Sequence, residues 1–245
     1  MKSFWTIVNK VLKRVDIVVL VLDARFPDLS LHNELQDKAG EKPIIYVLNK
    51  CDLTDTSKLL KWKRKFKHCV FVSAIKHYGI TMLKHKILEV AQGKNVTMGV
   101  FGYPNTGKSS IINALKGRKS AGTSSTSGYT KGKQLIRISN NVMLLDTPGV
   151  FPYREDDKTK LALINAVDFN KVKDPDLVAM ELIEQKRKQV CKYYDLNEAG
   201  DPEEILEAIA KKFNKLKKGG VLDTVAAARI VLKDWQQGKI TLHHG

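Results

Sequence analysis

Gly102, Tyr103, Pro104, Asn105, Thr106, Gly107, Lys108 and Ser109 stand in a row near the middle of a 245-residue chain. No other stretch limits the fold so tightly. Two glycines followed by Lys-Ser at this spacing (G-x-x-x-x-G-K-S) let a loop wrap an anion with its backbone N–H groups. The apolar run Val96–Phe101 ahead of it predicts a buried strand, and Ser109–Leu115 predicts the first turns of a helix. A strand, a glycine loop and a helix N-terminus together make a phosphate cradle, because free N–H groups and the positive helix end face the ligand. Asn105, Thr106, Gly107 and Ser110 then line the phosphates of a nucleotide, Lys108 reaches the outer ones, and the Ser109 hydroxyl binds Mg²⁺.

Three further strands end in polar groups suited to the same ligand. Asp16–Leu22 runs into Asp23, Ala24 and Arg25, Pro43–Leu48 into Asn49, Lys50, Cys51 and Asp52, and Cys69–Val72 into Ser73 and Ala74. All three are continuous apolar runs, as expected of parallel strands buried on both faces. In Asn49-Lys50-x-Asp52 the aspartate carboxylate can accept two parallel hydrogen bonds from guanine N1–H and its 2-amino group, a donor pair that adenine lacks. Asn49 would hold the loop, the Lys50 stem would cover the ring, and Ser73-Ala74 would offer a backbone N–H to the guanine carbonyl. After the P-loop helix come a Gly/Ser/Thr-rich stretch to Gly132 and two strands, Gln134–Ile138 and Val142–Leu145. The second ends in Asp146-x-x-Gly149, which can place a carboxylate near the Mg²⁺ water shell and an N–H near the γ-phosphate.

Polar groups of this kind at four strand ends on one sheet edge resemble the motifs of the translation-factor-like GTPases. Their order here, N-K-x-D, S-A, P-loop, D-x-x-G, is similar to that of the circularly permuted GTPases of the YlqF/YawG group, implicated in ribosome assembly. Asp23-Ala24-Arg25 and the C-terminal Gly219-Gly220-x-x-Asp223 fit the same group. The resemblance implies a three-layer α/β/α P-loop domain over residues 1–157, with six mostly parallel strands ordered 5-6-4-1-2-3. A small all-α domain over 158–245 would contact RNA or the ribosome. It also implies a GTPase that binds GTP and GDP and serves as an assembly factor of the large ribosomal subunit; a GTP-regulated RNA-binding or signalling module not tied to ribosomes is the other reading. Gly117–Lys131 becomes switch I, with Thr130 as ligand of Mg²⁺ and of the γ-phosphate. Ser127 stands where the family usually has proline, which leaves Thr126 as a competing ligand. Lys108, Thr130, Asn105 and Gly149 are the catalytic candidates, and Ser109, Thr130 and Asp146 the metal set. Val150 follows Gly149 where Ras-type enzymes place glutamine. An apolar side chain cannot orient water, so intrinsic hydrolysis should be slow and completed by a ribosomal partner. Asn105 either holds a K⁺ ion that supplies catalytic charge or merely stabilises the loop.

Charge supports a polyanionic partner such as ribosomal RNA. The first 154 residues hold 26 Lys and Arg against 10 Asp and Glu, whereas residues 155–245 hold 16 of each. The whole net charge of +16 therefore sits on the nucleotide-binding half; a solvated basic surface with no partner is the other reading. A helix is expected across about Asp55–Lys67, rich in positive charge, and the basic runs Lys186–Lys192 and Lys211–Lys218 are RNA candidates or ordinary solvated helix faces. Arg25 reaches RNA or nucleotide, or pairs with Asp23 or with a neighbouring strand end, and Trp62 stacks on a base or packs locally. Three unevenly spaced cysteines and scattered histidines argue against disulfides or a zinc site. With no membrane-length apolar run and no signal-peptide pattern, a monomer in the cytoplasm is expected.

Overall fold

A computed structural model describes residues 4–116, 135–145 and 158–241. The chain divides into two compact units, Met1–Asp52 with Thr56–Arg154, and Leu53–Asp55 with Glu155–Gly245.

The first unit is built on a six-stranded sheet. Its strands are β1 (Ile17–Asp23), β2 (Ile44–Asn49), β3 (Cys69–Val72), β4 (Val96–Phe101), β5 (Leu135–Ser139) and β6 (Val142–Leu145), in the order β3-β2-β1-β4-β6-β5. This is the order expected from the motifs, written from the other edge. All neighbours are parallel except the β5–β6 hairpin. β1 is buried at every position, as a continuous apolar run at the sheet centre requires.

The two faces of β1 serve different layers. Ile17, Val19 and Val21 join the core beneath α5 (Ile80–Ala91) and α6 (Lys108–Lys116), whose Leu83, Ile87, Ile111 and Leu115 are buried there. The opposite layer holds α1 (Phe4–Leu12), the one-turn α2 (Pro27–Ser30), α3 (Asn33–Ala39) and α4 (Leu60–Lys65). Phe66, just after α4, stacks on Tyr46 of β2 at 3.7 Å, and the Tyr46 hydroxyl donates to Gln36 on α3 at 2.8 Å. Trp62 is buried beside Phe66, so the local-packing reading of this tryptophan holds. The long basic helix expected over about 55–67 is in fact a 3₁₀ turn, Thr56–Leu59, running into the short α4.

The second unit is helical: α7 (Lys158–Leu163), α8 (Pro175–Tyr194), α9 (Pro202–Lys212) and α10 (Thr224–Gln236). Asp201 caps α9 by accepting from the N–H groups of Glu203 and Glu204, while Glu204 accepts the Asp201 N–H in return. Helical spacing predicts one apolar face of Ile205, Ile209, Phe213 and Leu216 and another of Val221, Val225, Ala228, Leu232 and Trp235, and both are corrected. α9 stops at Lys212, because Phe213 leaves helical geometry and Asn214 adopts a positive φ of 51°. Leu216 therefore falls off the helix and is 57% exposed. Val221, placed on the last helix by its spacing, is also exposed, because Asp223 caps α10 two residues later. The buried stripe of α10 is Ala227, Ala228, Val231, Leu232 and Trp235.

Trp235 is fully buried, and its indole N–H donates to the Leu163 carbonyl at 2.8 Å. Replacing it by alanine should cost about 3–5 kcal/mol in urea unfolding of the full chain. Trp235→Phe should lose roughly 1–3 kcal/mol, for the orphaned carbonyl and the smaller ring. A loss from Trp235→Ala no larger than that from Trp235→Phe would show that α10 is not anchored through this side chain.

Candidate guanine-nucleotide site

β1, β2, β3 and β4 all deliver their carboxyl ends to one edge of the sheet. The strand order reverses beside β4, which is where an open α/β sheet forms its binding crevice. At that edge the Asn49 side chain is buried and bonded at both ends of its amide. Its amide N–H donates to the Thr106 carbonyl at 2.8 Å, and its oxygen accepts the Ala74 N–H at 3.1 Å. One side chain thus ties the N-K-x-D segment to the P-loop on one side and to the Ser73-Ala74 turn on the other. The contact also explains Gly107. Its φ is +97°, and a Cβ there would lie 2.1 Å from the Asn49 amide nitrogen.

Within the loop, the Thr106 hydroxyl donates to the Tyr103 carbonyl at 2.9 Å, and Lys108 Nζ donates to the same carbonyl at 2.7 Å. Burial pushes the Lys108 ammonium down to about 8. Asn105 is exposed with φ +58°, a left-handed conformation that asparagine tolerates better than most residues. Ser109 and Ser110 are exposed on the first turn of α6.

Asp52 sits in a 3₁₀ turn, Cys51–Leu53, and Lys76 approaches its carboxylate at 3.6 Å. Ser73 and Tyr78 exchange backbone hydrogen bonds at 3.0 and 3.1 Å, closing a tight hairpin directly after β3. Thr130, Asp146, Gly149 and Val150, and with them switch I, lie outside the described residues.

Sequence reading left Asp23 as one of two partners for Arg25 and gave it no link to Lys50. The carboxylate is fully buried. It accepts from Arg25 Nε at 3.0 Å, Arg25 Nη2 at 2.8 Å, the Arg25 backbone N–H at 3.0 Å and Lys50 Nζ at 2.7 Å. Burial alone would push this carboxyl up. The Arg25 guanidinium and Lys50 ammonium outweigh it and hold the group well below the usual carboxylate range. Lys50 itself has a positive φ of 63°. The Asp-x-Arg spacing at a strand end was the available signal for the Arg25 pair. The reach of Lys50 from the next strand was not visible in one dimension. The Tyr103 carbonyl was likewise missed, since backbone acceptors leave no mark in a sequence.

A P-loop at the carboxyl edge of a parallel sheet, with Asn49-Lys50-x-Asp52 and Ser73-Ala74 preceding it in the chain yet adjoining it in space, defines a circularly permuted P-loop GTPase. Comparison with known proteins places the chain in a family. The model described as RsgA GTPase matches residues 7–154, and the model described as 50S ribosome-binding GTPase matches residues 97–216. The chain is 39% identical to the uncharacterized GTP-binding protein MJ1464 of Methanocaldococcus jannaschii, over 97% of this chain and 66% of that protein. It is 32% identical to nucleolar GTP-binding protein 2 of Yarrowia lipolytica, over 98% and 50%. The chain thus spans about half to two thirds of the length of these relatives. GNP-bound YlqF from T. maritima superposes with a TM-score of 0.68 at 26% identity, covering 98% of this chain and 96% of that one. A GDP-bound YlqF gives 0.70 at 25%, covering 97% and 98%. The chain belongs to the YlqF-type circularly permuted GTPases.

The lowered Lys108 has a measurable consequence. An anionic phosphate beside Nζ favours the charged form, so nucleotide binding takes up a proton wherever the free ammonium has begun to dissociate. The sign follows from the shift: there is no uptake well below about 8, and uptake above it. GDP titrations in buffers of different ionisation enthalpy should show uptake of roughly half a proton or more near pH 8.5, and close to none at pH 6.5. Equal uptake at the two values would mean that Lys108 is not desolvated in the loop.

Proposed function

We propose that this protein binds GTP and Mg²⁺, hydrolyses GTP to GDP and phosphate, and acts as an assembly factor of the large ribosomal subunit. The observation that carries the nucleotide half is the Asn49 tie, which holds the base-reading and phosphate-binding segments together. The ribosomal half is supported by the 50S ribosome-binding family model and by relatives named as nucleolar GTP-binding proteins.

The residues divide the work as follows. Asp52 reads the guanine edge, Lys50 covers the ring, and the Ser73-Ala74 turn supplies an N–H to the guanine carbonyl. Asn105, Thr106, Gly107, Lys108 and Ser110 surround the phosphates, with Lys108 at the outer ones. Mg²⁺ fits the donor set at the start of α6, where the exposed Ser109 hydroxyl stands beside Lys108. Ser109 and Thr130 would hold it directly and Asp146 through water. When bound, the ion neutralises charge on the β- and γ-phosphates. Gly149 would donate its N–H to the γ-phosphate. With Val150 next in the chain, no side chain there can orient water, so we assign a slow intrinsic rate raised by the ribosomal partner. Asn105 is the residue through which K⁺ would act. The helical domain of residues 158–245 follows Asp146–Gly149 after eight residues of chain, so a γ-phosphate-dependent change can be passed to it. That domain is assigned an RNA- or ribosome-contacting role, in a cytoplasmic monomer. No helix among the described residues is long and apolar enough to cross a membrane.

Cosedimentation with large-subunit precursors should be at least several-fold greater with a non-hydrolysable GTP analogue than with GDP. Identical pelleting would remove the assembly-factor reading. Hydrolysis measured with and without ribosomal particles, in KCl and in NaCl, should rise in the first comparison and fall on replacing K⁺ in the second. Equal rates in the two salts would leave Asn105 as a loop residue only.

Asp52→Asn should exchange guanine for xanthine selectivity. Losing a charged acceptor paired with two base donors should weaken GDP binding by about 10²-fold or more. Unchanged discrimination between GDP and xanthosine diphosphate would move the base-reading role elsewhere.

A further inference from the structure

The nucleotide-binding unit carries a cationic face that the GTPase site does not use. Lys58, Lys61, Lys63, Arg64, Lys65 and Lys67 fall within ten residues, and no acidic residue occurs between Thr56 and His68. All six are exposed. The inward stripe of the same stretch is Leu59, Trp62 and Phe66, all buried. The six cations therefore occupy the solvent side of one short segment.

Several of these lysines are laid on a hydrophobic floor. Lys61 and Lys65 stand over the Trp62 ring at 5.4 and 4.9 Å, and Lys63 stands over Phe71 of β3 at 4.9 Å. Aromatic faces hold the stems down and present the ammonium groups outward, which lowers the entropy lost when they meet an anion. Asp28 pairs with Lys61 at 4.0 Å, with both side chains about 70% exposed. An exposed pair of that kind contributes little and is easily exchanged.

β3 is an edge strand of the sheet, and Lys63 rests on it from α4. The hairpin closed by Ser73 and Tyr78 continues from its carboxyl end. That hairpin presents Lys76, His77 and a Tyr78 that is 58% exposed. Cations in this density beside an exposed aromatic ring match a sugar-phosphate backbone with a base free to stack. A ten-residue segment is on the order of 15 Å long, and nucleic acid supplies negative charge at that spacing as a matter of covalent structure. An acidic protein surface would have to be built for it.

We infer that the α4 face and the Ser73–Tyr78 hairpin, along the β3 edge of the nucleotide-binding unit, form an RNA-docking surface separate from the helical domain. The inference rests on the RNA-contacting reading proposed above and specifies where the contact is made. It also couples RNA to the nucleotide. Lys76 approaches Asp52, and the Ala74 N–H is held by Asn49, so a phosphate that draws Lys76 away alters the segment that reads guanine. By reciprocity, guanine nucleotide and RNA must then change each other's affinity by the same factor.

The test uses the full chain and two fluorescent probes, a 20-nucleotide single-stranded RNA of mixed sequence and the corresponding RNA duplex. Three proteins are compared by anisotropy across KCl concentrations: wild type, the triple variant Lys61→Gln, Arg64→Gln, Lys67→Gln, and the triple variant Lys211→Gln, Lys217→Gln, Lys218→Gln. Losing three phosphate contacts should weaken binding of the first triple by about 30-fold or more near 0.1 M salt, and flatten its log–log salt slope by roughly 2 on the single strand. Its GDP affinity in the absence of RNA should match wild type, which shows that the fold is intact. Tyr78→Ala should weaken the single strand and spare the duplex. If the first triple binds RNA as wild type does while the second triple loses binding, the docking surface lies on the helical domain and this inference falls, while the RNA reading stands. If wild type itself shows no salt-dependent RNA binding, both fall together. Displacement of either RNA by poly-L-glutamate at equal charge concentration would identify the face as an acidic-protein surface and overturn the assignment.

Discussion

Everything at the sheet edge depends on where one amide side chain points. Asn49 is buried, and each end of its amide is committed, the N–H to the Thr106 carbonyl and the oxygen to the Ala74 N–H. A buried amide left with one unmade bond costs about 1–3 kcal/mol, so the three segments are held in register as a set. The geometry is dense enough that only glycine fits opposite it, at position 107. A P-loop is ordinarily described by the residues that touch phosphate. Here its backbone is also fixed from behind by a residue some sixty positions earlier in the chain.

A second constraint lies one layer deeper. Asp23 is fully buried and ionised, which would be unfavourable alone. Arg25 and Lys50 surround it closely enough to reverse the effect of burial on its carboxyl. Such a group is hard to modify piecemeal, because removing Asp23 leaves two neighbouring cations to repel each other, and removing either cation leaves less to offset the burial of the carboxylate. It also determines where Lys50 can be. With a left-handed backbone and an ammonium bound to Asp23, the Lys50 stem is held between β1 and β2 at the edge where a base would lie. Asp23-Ala24-Arg25 thereby acts on the N-K-x-D segment from the neighbouring strand.

How much of this could be read from the sequence follows from which interactions leave a mark there. β1, β2 and β4 were legible because a strand buried on both faces needs an unbroken apolar run. The strand order was available only through the resemblance that the motifs carry, because apolar runs alone do not say which strands are neighbours. The ends of α9 and the start of α10 were not legible. Phe213, Leu216 and Val221 continue the apolar spacing past the point where the backbone has left the helix. Asn214 and the Gly219-Gly220 pair turn the chain there through positive φ. Periodicity cannot see that turn, and it assigns to a core three side chains that stand in solvent. The Asn49–Thr106 and Lys108–Tyr103 bonds were illegible for another reason. Their acceptors are peptide carbonyls, which every residue carries.

Permutation changes the chain order without changing any neighbour in the sheet. The new junction is short. α5 ends at Ala91, Gln92 and Gly93 turn the chain at φ +51° and +75°, and Val96 donates to the Asn141 carbonyl as β4 begins. A loop of this length costs little to close, so the rearranged chain can reach the same sheet at nearly the same stability. What changes is mechanical. β6, which leads into Asp146–Gly149, becomes the last strand of the sheet, so the segment expected to sense the γ-phosphate runs onward into the chain of the second unit. In the unpermuted order that segment returns to the sheet, and any displacement is shared with further strands. The base-reading segments, by contrast, precede the P-loop and are pinned to it by Asn49. Permutation therefore puts the segments proposed to select the nucleotide ahead of the P-loop, where Asn49 ties them to it, and the segment proposed to sense the γ-phosphate after it, on the chain that leads to the second unit.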